Sequence, residues 1–400
     1  MSIAHLALHH LNAFFIPRSS IPNMALPETQ SAIVQSDSPT AVTSLAVAHS
    51  VPLPHLPLAS PNHVLVRVLA VALNPNDHKM ATYFHMAGST AGCDFCGVVV
   101  QSGAPNLTRS NTVHPPGTRI CGAVFPYSLQ PDDKHNGAFA QWVVADARLL
   151  LRVPDEWTDL QGAALGGVAW GTLALAFSDP QALALQGLPS KPAAGGKGGA
   201  AVPVLVYGGA TSTGTMACQL LRLSGYAPIA VASTTSAPLA IMYGAVATAP
   251  YTSPTCAEDI RSLAAAPIQH ALDCITDGES AAICFGALSR AGGRYACLEQ
   301  FHTAWQTRRA VKVKVVMGPE ILGARIELGD TVYTREPSPE NFEIGVIWAR
   351  EMQSILDAGL VKTHPIREVP GRWDGIIDGM DMLQKGEVKG EKLVVRISDL

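Results

Sequence analysis

The sequence contains little charge for its length. Lys, Arg, Asp and Glu make up 15% of the 400 residues, and the formal net charge at pH 7 is −4. This balance gives no reason to expect nucleic acid or an anionic membrane surface as the main partner. Hydrophobic residues, by contrast, account for 48% of the chain. That proportion is typical of a well-packed globular protein and excludes a largely disordered one.

Membrane-spanning and secretory features are also scarce. No uninterrupted apolar stretch approaches the roughly 20 residues that span a bilayer, so we expect a soluble protein. The eight cysteines are scattered through apolar segments, which favours a reducing compartment, the cytoplasm, over secretion. Residues 1–23 contain no acidic residue and a single Arg. We expect a flexible tail there, with a targeting peptide as the alternative that the missing Arg enrichment disfavours.

The chain length predicts two domains, because 400 residues exceed the usual size of one compact core. The first third is mostly β in character. The run VLVRVLAVAL at Val64–Leu73 predicts a strand that ends at the turn Asn74-Pro75-Asn76, and further strands are predicted at Gly97–Val100 and Thr118–Val124.

Beyond Pro154 the pattern becomes helical and then alternating. Small and apolar residues predict a helix over Trp157–Phe177, and the Gly- and Pro-rich residues 187–201 predict a flexible surface excursion. Strands and helices alternate from there to Leu298, which predicts a parallel sheet covered on both faces. We expect the final strand, Lys392–Ile397, to fold back onto the first domain.

A phosphate-binding turn is predicted between residues 204 and 226. The strand VLVY runs into GGATSTG (208–214) and directly into the helix TMACQLLRLSGY. Such a turn presents free backbone N–H groups and the positive end of the helix dipole to a diphosphate. A tight turn between packed elements is the alternative.

The end of the following strand decides which nicotinamide cofactor is preferred. An acidic residue there would bind the adenosine ribose, but this chain has Ser233-Thr234-Thr235-Ser236. Hydroxyls without a carboxylate suit a 2′-phosphate, so NADPH is predicted. No Lys or Arg lies in residues 237–242, and hydroxyls that merely cap a helix remain the alternative.

Several motifs in a fixed order resemble a known family from about Met24 to the end. They are NPNDHKM (74–80), AGCDFCGVV (91–99), GAFAQW (137–142), the Gly-rich turn, LDCIT (272–276), SRAGGRY (289–295) and GEKLVVR (390–396). Together they resemble the zinc-free quinone-reductase branch of the medium-chain dehydrogenase/reductase superfamily. The likeness is greatest to the trans-acting enoyl reductases of fungal polyketide synthases, of the lovastatin type.

This resemblance implies an α/β fold with an active site in the cleft between two domains. Residues 24–171 and 331–400 would form a GroES-like β domain, and residues 172–330 a Rossmann domain with a doubly wound parallel sheet. It also implies a monomer. The prolines at 319, 337 and 339 would likewise block the edge-strand pairing through which quinone reductases form dimers.

The resemblance also implies site residues. Those implied to bind the cofactor are Asn76, Asp77, His78, Lys79, Ala210, Thr211, Ser212, Thr213, Ser233, Thr234, Thr235, Ser236, Tyr251, Leu298, Glu299, Val388 and Lys389. Those implied to bind substrate are Gly171, Thr172, Leu173, Ala174, Leu175, Ala176, Phe177, Ser178, Gly318, Pro319, Glu320, Ile321 and Leu322. Lys79 and Thr172 are the candidate catalytic residues.

Two departures from the family pattern concern hydroxyl groups. Many relatives have a more Gly-rich phosphate turn than Thr211-Ser212. In the lovastatin-type enzyme, the substrate-side threonine is followed by Ala. Here the sequence Trp170-Gly171-Thr172 places the hydroxyl one position away from that threonine. Thr172 or a neighbour would therefore take the role of the family's threonine.

Zinc chemistry is not expected. Cys93 and Cys96 have C-x-x-C spacing, but no second pair completes a four-cysteine site. We expect both to be buried thiols, with a reversible disulfide as the alternative.

The predicted activity is NADPH-dependent reduction of an α,β-unsaturated acyl thioester. Lys79 would stabilise the negative charge that develops on the thioester oxygen or hold the cofactor ribose in place, and Thr172 would orient the acyl group. A solvated lysine in a turn is the alternative for Lys79, and a hydroxyl at a helix N-terminus is the alternative for Thr172. The expected partner is the acyl carrier protein of a polyketide synthase or polyketide-peptide hybrid synthase. Its acidity predicts a basic rim around the cleft, for which the candidates are Arg308, Arg309, Lys312 and Lys314; a solvated strand edge explains these residues equally well.

Two alternatives stay open. One is a free-standing quinone or enone reductase, and the other is a cofactor-binding protein without catalysis that serves as a structural or regulatory partner. Turnover of a small crotonyl thioester distinguishes an enzyme from a non-enzyme.

Overall fold

A computed structural model of the chain describes residues 26–36, 44–57, 60–103, 114–127, 134–196 and 199–398. The tail predicted for residues 1–23 lies outside them. The strands in chain order are β1 (Thr29–Gln35), β2 (Leu45–Pro52), β3 (His63–Ala72), β4 (Asp94–Ser102), β5 (Arg119–Ala123), β6 (Trp142–Asp146), β7 (Leu151–Arg152), β8 (Val202–Tyr207), β9 (Tyr226–Ala232), β10 (Ala247–Pro250), β11 (His270–Asp273), β12 (Gly293–Cys297), β13 (Val311–Val315), β14 (Ile366–Glu368) and β15 (Lys392–Arg396). The helices are α1 (Pro75–Tyr83), α2 (Asp159–Leu165), α3 (Val168–Ser178), α4 (Ser212–Leu223), α5 (Ala237–Met242), α6 (Cys256–Leu263), α7 (Gly278–Ala287), α8 (Pro339–Asp357) and α9 (Trp373–Gln384).

The middle of the chain forms a parallel sheet in the order β10-β9-β8-β11-β12-β13. Parallel neighbours require crossover connections, and α4 to α7 provide helices between successive strands. Leu205 and Tyr207 face one apolar core, and Val204 and Val206 face another, as alternation along a strand buried on both faces requires. The predicted doubly wound sheet is confirmed.

The two ends of the chain meet in a second sheet. Its order is β14-β15-β3-β4-β5-β7, and β6 also pairs with β3. The last strand, β15, runs antiparallel to β3, with Val394 opposite Ala72. The predicted return of the C-terminal strand to the first domain is therefore observed.

A buried ionic network ties this second sheet to the rest of the molecule. The Asp94 carboxylate lies 3.2 Å from the Lys392 ammonium, and the two side chains are 1% and 6% exposed. Its other oxygen accepts the N–H groups of Gly167 and Val168, at 2.8 and 2.9 Å, at the start of α3. Buried charges persist only when they are paired and hydrogen-bonded, so Asp94 fixes where α3 begins.

The helix predicted over Trp157–Phe177 is broken, because Gly166 and Gly167 interrupt it between α2 and α3. Gly166 has φ +47°, and a Cβ there would lie 2.2 Å from an Asp94 oxygen. Asp159–Ser178 has the length and composition of a membrane span, with a mean hydropathy of 1.4, although Asp159, Gln161 and Thr172 interrupt its apolar residues. Because 78% of this stretch is buried inside the protein, it is a core segment. The predicted domain boundary at residue 171 falls within α3.

Candidate active site

A cavity of about 1450 Å³ lies between the two sheets. The residues that line it come from two units of the molecule, the GroES-like β domain and the domain built on the parallel sheet. They include Lys79 on α1, Ala210 in the turn after β8 and Lys389 before β15. The volume exceeds the roughly 300–1,000 Å³ of a common small-molecule pocket, so it has room for a large cofactor and a second ligand.

One end of the cavity is the turn that joins β8 to α4. Thr211 caps α4, because its hydroxyl accepts the Gly214 N–H at 3.0 Å and donates to the Gly208 carbonyl at 2.8 Å. Gly214 has no room for a side chain, since a Cβ would lie 2.2 Å from the Gly208 oxygen. The first-turn amides of Ser212 and Thr213 precede the intrahelical ladder and lie at the cavity wall. This cradle fits the pyrophosphate of a dinucleotide.

The hydroxyl-rich loop after β9 lies along the same end. The Ser233 hydroxyl donates to that of Ser236 at 2.9 Å, accepts the Ser236 N–H at 3.1 Å and lies 3.0 Å from the Thr235 hydroxyl. Ser233, Thr235 and Ser236 line the cavity, and Thr234 does not. No Lys or Arg lies in α5, but Lys389 lines the same cavity, and a Cβ built at the adjacent Gly390 would lie 3.7 Å from Leu239 of α5.

An ion pair joins the two units across the middle of the cavity. The Lys79 ammonium on α1 contacts a carboxylate oxygen of Glu299, which follows β12. The side chains are 43% and 36% exposed, so the pair is solvated and its energy is modest. The other Glu299 oxygen lies 3.5 Å from the Tyr333 hydroxyl. Lys79 is thus held in the cleft rather than in open solvent.

A strained turn forms the wall beside Glu299. Thr276 has φ +64°, which a β-branched residue rarely adopts. The buried Asp273 carboxylate holds this turn by accepting the N–H groups of Ile275 and Thr276, both at 2.9 Å. The Thr276 hydroxyl in turn accepts the Leu298 N–H at 3.1 Å. Asp273 therefore orients the segment that carries Glu299.

Two predicted cofactor residues on α1 do not line the cavity. The Asp77 carboxylate is fully buried and accepts the Asn74 N–H at 2.9 Å, which caps α1. Burial raises the pKa of Asp77 to about 6, and hydrogen bonds from Cys93 and Asn74 oppose that rise. Burial, followed by the charge of Lys79, lowers the pKa of His78. Asn76 does reach the cavity.

The substrate-side predictions divide in the same way. Thr172, Gly318, Pro319, Ile321 and Leu322 line the cavity. Gly171 and residues 173–177 are buried in the core of α3, and the Ser178 hydroxyl accepts the Trp348 indole N–H at 2.8 Å. Glu320 is buried in an ion pair with Arg335. A helix presents only one face to a cavity, so Thr172 is the one predicted substrate residue of 171–178 that lines it.

The end of the cavity opposite the phosphate turn is apolar, and its side chains are not among the residues predicted from the sequence. The lining side chains that share this apolar character are Met80, Phe84, Phe125, Met317 and Tyr333, called the distal cluster below. Phe125 packs edge-on against the buried Tyr127, with ring centroids 5.3 Å apart. No local pattern marks these residues, because four separate segments of the chain contribute them.

Two cysteine thiols also lie on the cavity wall. Burial is the main cause that raises the pKa of Cys93 and of Cys274 well above the ordinary value. Cys96, the other half of the C-x-x-C spacing, is buried opposite Cys121 on β5, and both are free thiols. Across the described ranges, no group of three or more His, Cys, Asp or Glu side chains is placed to hold a metal ion.

The candidate basic rim is partly engaged in the fold. The Arg308 guanidinium donates to the carbonyls of Phe285, Leu288 and Ser289, and Lys314 lies 3.6 Å from the Asp179 carboxylate. Arg309 and Lys312 are exposed. The rim available to a partner is therefore smaller than the sequence indicates.

Comparison with known proteins identifies the family. A model of the alcohol dehydrogenase GroES-like domain matches residues 60–155. Trans-enoyl reductase calK of Penicillium decumbens is 55% identical over 372 residues, which cover 92% of this chain and 98% of that protein. Trans-enoyl reductase sthE of Phaeosphaeria nodorum is 54% identical over 370 residues, again covering 92% and 98%. The chain belongs to the trans-enoyl reductases.

A solved structure confirms the fold of this trans-enoyl reductase. An alcohol dehydrogenase superfamily protein from Novosphingobium aromaticivorans matches with a TM-score of 0.69 at 19% identity, over 92% of this chain and 100% of that chain. The predicted family and the predicted GroES-like and Rossmann architecture are thus confirmed. The chain is an oxidoreductase that acts on a carbon-carbon double bond with a nicotinamide cofactor.

Proposed function

We propose that this trans-enoyl reductase uses NADPH to reduce an α,β-unsaturated acyl thioester carried on the acyl carrier protein of a polyketide synthase. One observation carries the proposal: Lys79 stands between a phosphate-binding turn at one end of the cavity and the distal cluster at the other. A dinucleotide and an acyl chain that enter from these two ends would meet beside Lys79.

The residues around Lys79 supply the electrostatics of this reaction. The bound cofactor supplies a hydride to the β-carbon of the substrate. Lys79 then stabilises the negative charge on the thioester oxygen, and Thr172, which lines the same wall, orients the acyl group. The distal cluster excludes water and accommodates an apolar chain.

The preference for NADPH rests on two features of the phosphate end. Ser233, Thr235 and Ser236 offer hydroxyls without a carboxylate that would repel a 2′-phosphate, and Lys389 adds a cation to the same cavity. The remaining predicted cofactor residues on the wall, which we propose as contacts, are Asn76, Ala210, Thr211, Ser212, Thr213, Tyr251, Leu298, Glu299 and Val388.

Hydride transfer from isotopically labelled NADPH to a crotonyl pantetheine thioester tests the activity. We expect one deuterium at the β-carbon of the butyryl product and a proton from solvent at the α-carbon. Turnover of quinones with no turnover of any enoyl thioester would support the free-standing quinone reductase instead. Tight cofactor binding without any turnover would support a non-catalytic partner protein.

A Ser233→Asp variant tests the cofactor preference. The new carboxylate would repel the 2′-phosphate and bind the ribose hydroxyls of NADH, so we expect the preference to reverse. Ser354→Asp adds the same charge on the exposed face of α8 and serves as the control. Equal affinities for NADPH in both variants would refute the assignment of this loop.

The carrier protein is tested by comparing crotonyl thioesters on pantetheine and on an acyl carrier protein. We expect a higher kcat/KM for the carrier-bound substrate, with a salt dependence that reflects exposed cations such as Arg309 and Lys312. Equal kcat/KM values would count against a carrier protein as partner. We also propose a monomeric, cytoplasmic enzyme, which sedimentation and cell fractionation test.

A further inference from the structure

Tyr333 lines the cavity and lies on a hairpin formed by residues 326–335. The hairpin closes where Ile326 and Arg335 exchange two backbone hydrogen bonds, at 3.0 and 2.8 Å. Arg335 also forms an ion pair with buried Glu320, which anchors the base of the hairpin to the turn at Gly318–Leu322. Next to this closing pair, the Thr334 hydroxyl accepts the Leu328 N–H at 2.9 Å. Tyr333 is therefore held by a fixed frame.

The ring and the hydroxyl of Tyr333 contact different units of the molecule. The ring packs edge-on against Phe84, at the end of α1, with centroids 6.0 Å apart and an interplanar angle of 89°. The hydroxyl oxygen accepts the Gln300 N–H at 3.0 Å and lies 3.5 Å from the Glu299 carboxylate. The residue thus bridges the β domain and the loop after β12.

These contacts give Glu299 two partners, one on each carboxylate oxygen. A phenol has one proton, and since the Gln300 N–H occupies an oxygen lone pair, that proton is directed at Glu299. The remaining carboxylate oxygen contacts Lys79. Glu299 and Lys79 are both about two-fifths exposed, and such long solvated side chains have several rotamers of similar energy. A second partner selects one rotamer of Glu299 and, through it, one position of the ammonium.

We propose that Tyr333 is a positioning residue for Lys79 and acts through Glu299. The inference rests on the proposed function, because it assumes that Lys79 stabilises the developing negative charge. Burial raises the pKa of Tyr333, the Gln300 N–H opposes that rise and the charge of Glu299 adds to it, so the hydroxyl stays protonated at neutral pH, as this role requires. The ring has a separate task as part of the distal cluster, so the two parts of the side chain are separable by mutation.

A Tyr333→Phe variant keeps the ring and removes the hydroxyl. We expect kcat for an enoyl thioester to fall about tenfold while KM changes less than about twofold, since only the charge-stabilising contact is lost. A Tyr333→Leu variant removes the ring as well and should also raise KM. An unchanged kcat in Tyr333→Phe would overturn the proposal.

The route through Glu299 is tested by a double-mutant cycle. In a Glu299→Gln background the Tyr333→Phe change should have almost no further effect on kcat, because the route is already broken. A full tenfold loss in that background would show that Tyr333 acts by another path and would overturn the proposal.

Tyr226→Phe is the matched control. The Tyr226 hydroxyl also accepts backbone N–H groups, those of Gln186 and Gly187 at 2.9 and 3.1 Å, but Tyr226 is not among the cavity-lining residues. We expect a lower melting temperature with unchanged kcat. A fall in kcat equal to that of Tyr333→Phe would show that loss of a tyrosine hydroxyl acts only through stability, against the proposal.

Hydrogen exchange in the cofactor-free protein provides a measurement that does not depend on activity. Peptides that contain Gln300 should exchange faster in Tyr333→Phe than in the parent or in Tyr226→Phe, because the acceptor of that N–H is lost. Unchanged exchange would contradict the contact itself. If the parent reduces no enoyl thioester, the proposed function fails, and this exchange result still decides whether the contact exists.

Discussion

The two ends of the cavity are built in different ways. Residues 204–214 form the phosphate end from one continuous strand, turn and helix start, and its binding groups are backbone amides. The distal cluster takes Phe84, Phe125, Met317 and Tyr333 from four segments, and its surface is side chain. Backbone geometry tolerates few substitutions, whereas apolar side chains of similar size replace one another at small cost. The first end is therefore suited to a constant ligand, and the second to a variable one.

The largest expected effect breaks the phosphate end. A Gly214→Ala variant would place a Cβ 2.2 Å from the Gly208 oxygen and 2.7 Å from the Gly209 Cα, so the turn must shift. Overpacking costs about 1–3 kcal/mol, and we expect NADPH affinity to fall about 100-fold by fluorescence titration. Gly196→Ala is the control, because a Cβ there meets nothing closer than 3.6 Å. Parent-like affinity in Gly214→Ala, with the fold intact by circular dichroism, would refute a role for this turn.

A smaller effect is expected at the substrate side. A Cβ added at Gly318 would lie 2.4 Å from the Thr172 hydroxyl oxygen, so Gly318→Ala should displace that hydroxyl. We expect the KM for an enoyl thioester to rise about tenfold, with NADPH affinity unchanged. In a Thr172→Ala background, where the clashing oxygen is gone, the Gly318→Ala change should have little further effect. Independent effects on KM would show that the two residues do not act together.

The smallest expected effect is on how the free energy of unfolding depends on pH. Beside the phosphate turn, buried His364 contacts the Thr215 hydroxyl at 3.0 Å and lies near Tyr243 and Lys392. Burial, followed by the charge of Lys392, lowers the pKa of His364 to about 4. The unfolded chain takes up this proton near pH 6.5, so the contribution of His364 to stability is complete above that pH and is lost as the pH falls towards 4.

We therefore expect His364→Gln to reduce the loss of unfolding free energy between pH 7 and 5.5 by about 1 kcal/mol. Denaturant titrations at both pH values measure it. Asp77 titrates with the opposite sign, because its raised pKa of about 6 makes acidification stabilising, so the difference between variant and parent is the informative quantity. A His270→Gln variant provides a comparison outside the cavity lining, because burial also lowers the pKa of His270 to about 4. If the unfolding free energies of His364→Gln and the parent depended on pH in the same way, the lowered pKa of His364 would be contradicted.

The contrast between a continuous segment and a surface assembled from separate segments also explains which features could be predicted from the sequence. The turn at residues 208–214 and the strand at 392–396 follow from local patterns, since neighbouring residues form each element. The break between α2 and α3 depends on Asp94, more than 70 residues away along the chain, and periodicity alone does not show it. Tyr333 was missed for a related reason, because an isolated tyrosine in a loop has no periodic signal. The predicted run from 171 to 178 extended too far, because sequence likeness does not reveal which side of a helix faces the cavity.

The two wall thiols have a consequence for the stability of the enzyme towards its own substrate class. Conjugated acyl thioesters are electrophiles that alkylate thiolates, and Cys93 and Cys274 line the cavity that would hold one. A thiol is a far weaker nucleophile than its thiolate, and burial keeps both sulfurs protonated. Burial of these two thiols would thus slow their alkylation while the cavity holds a reactive alkene.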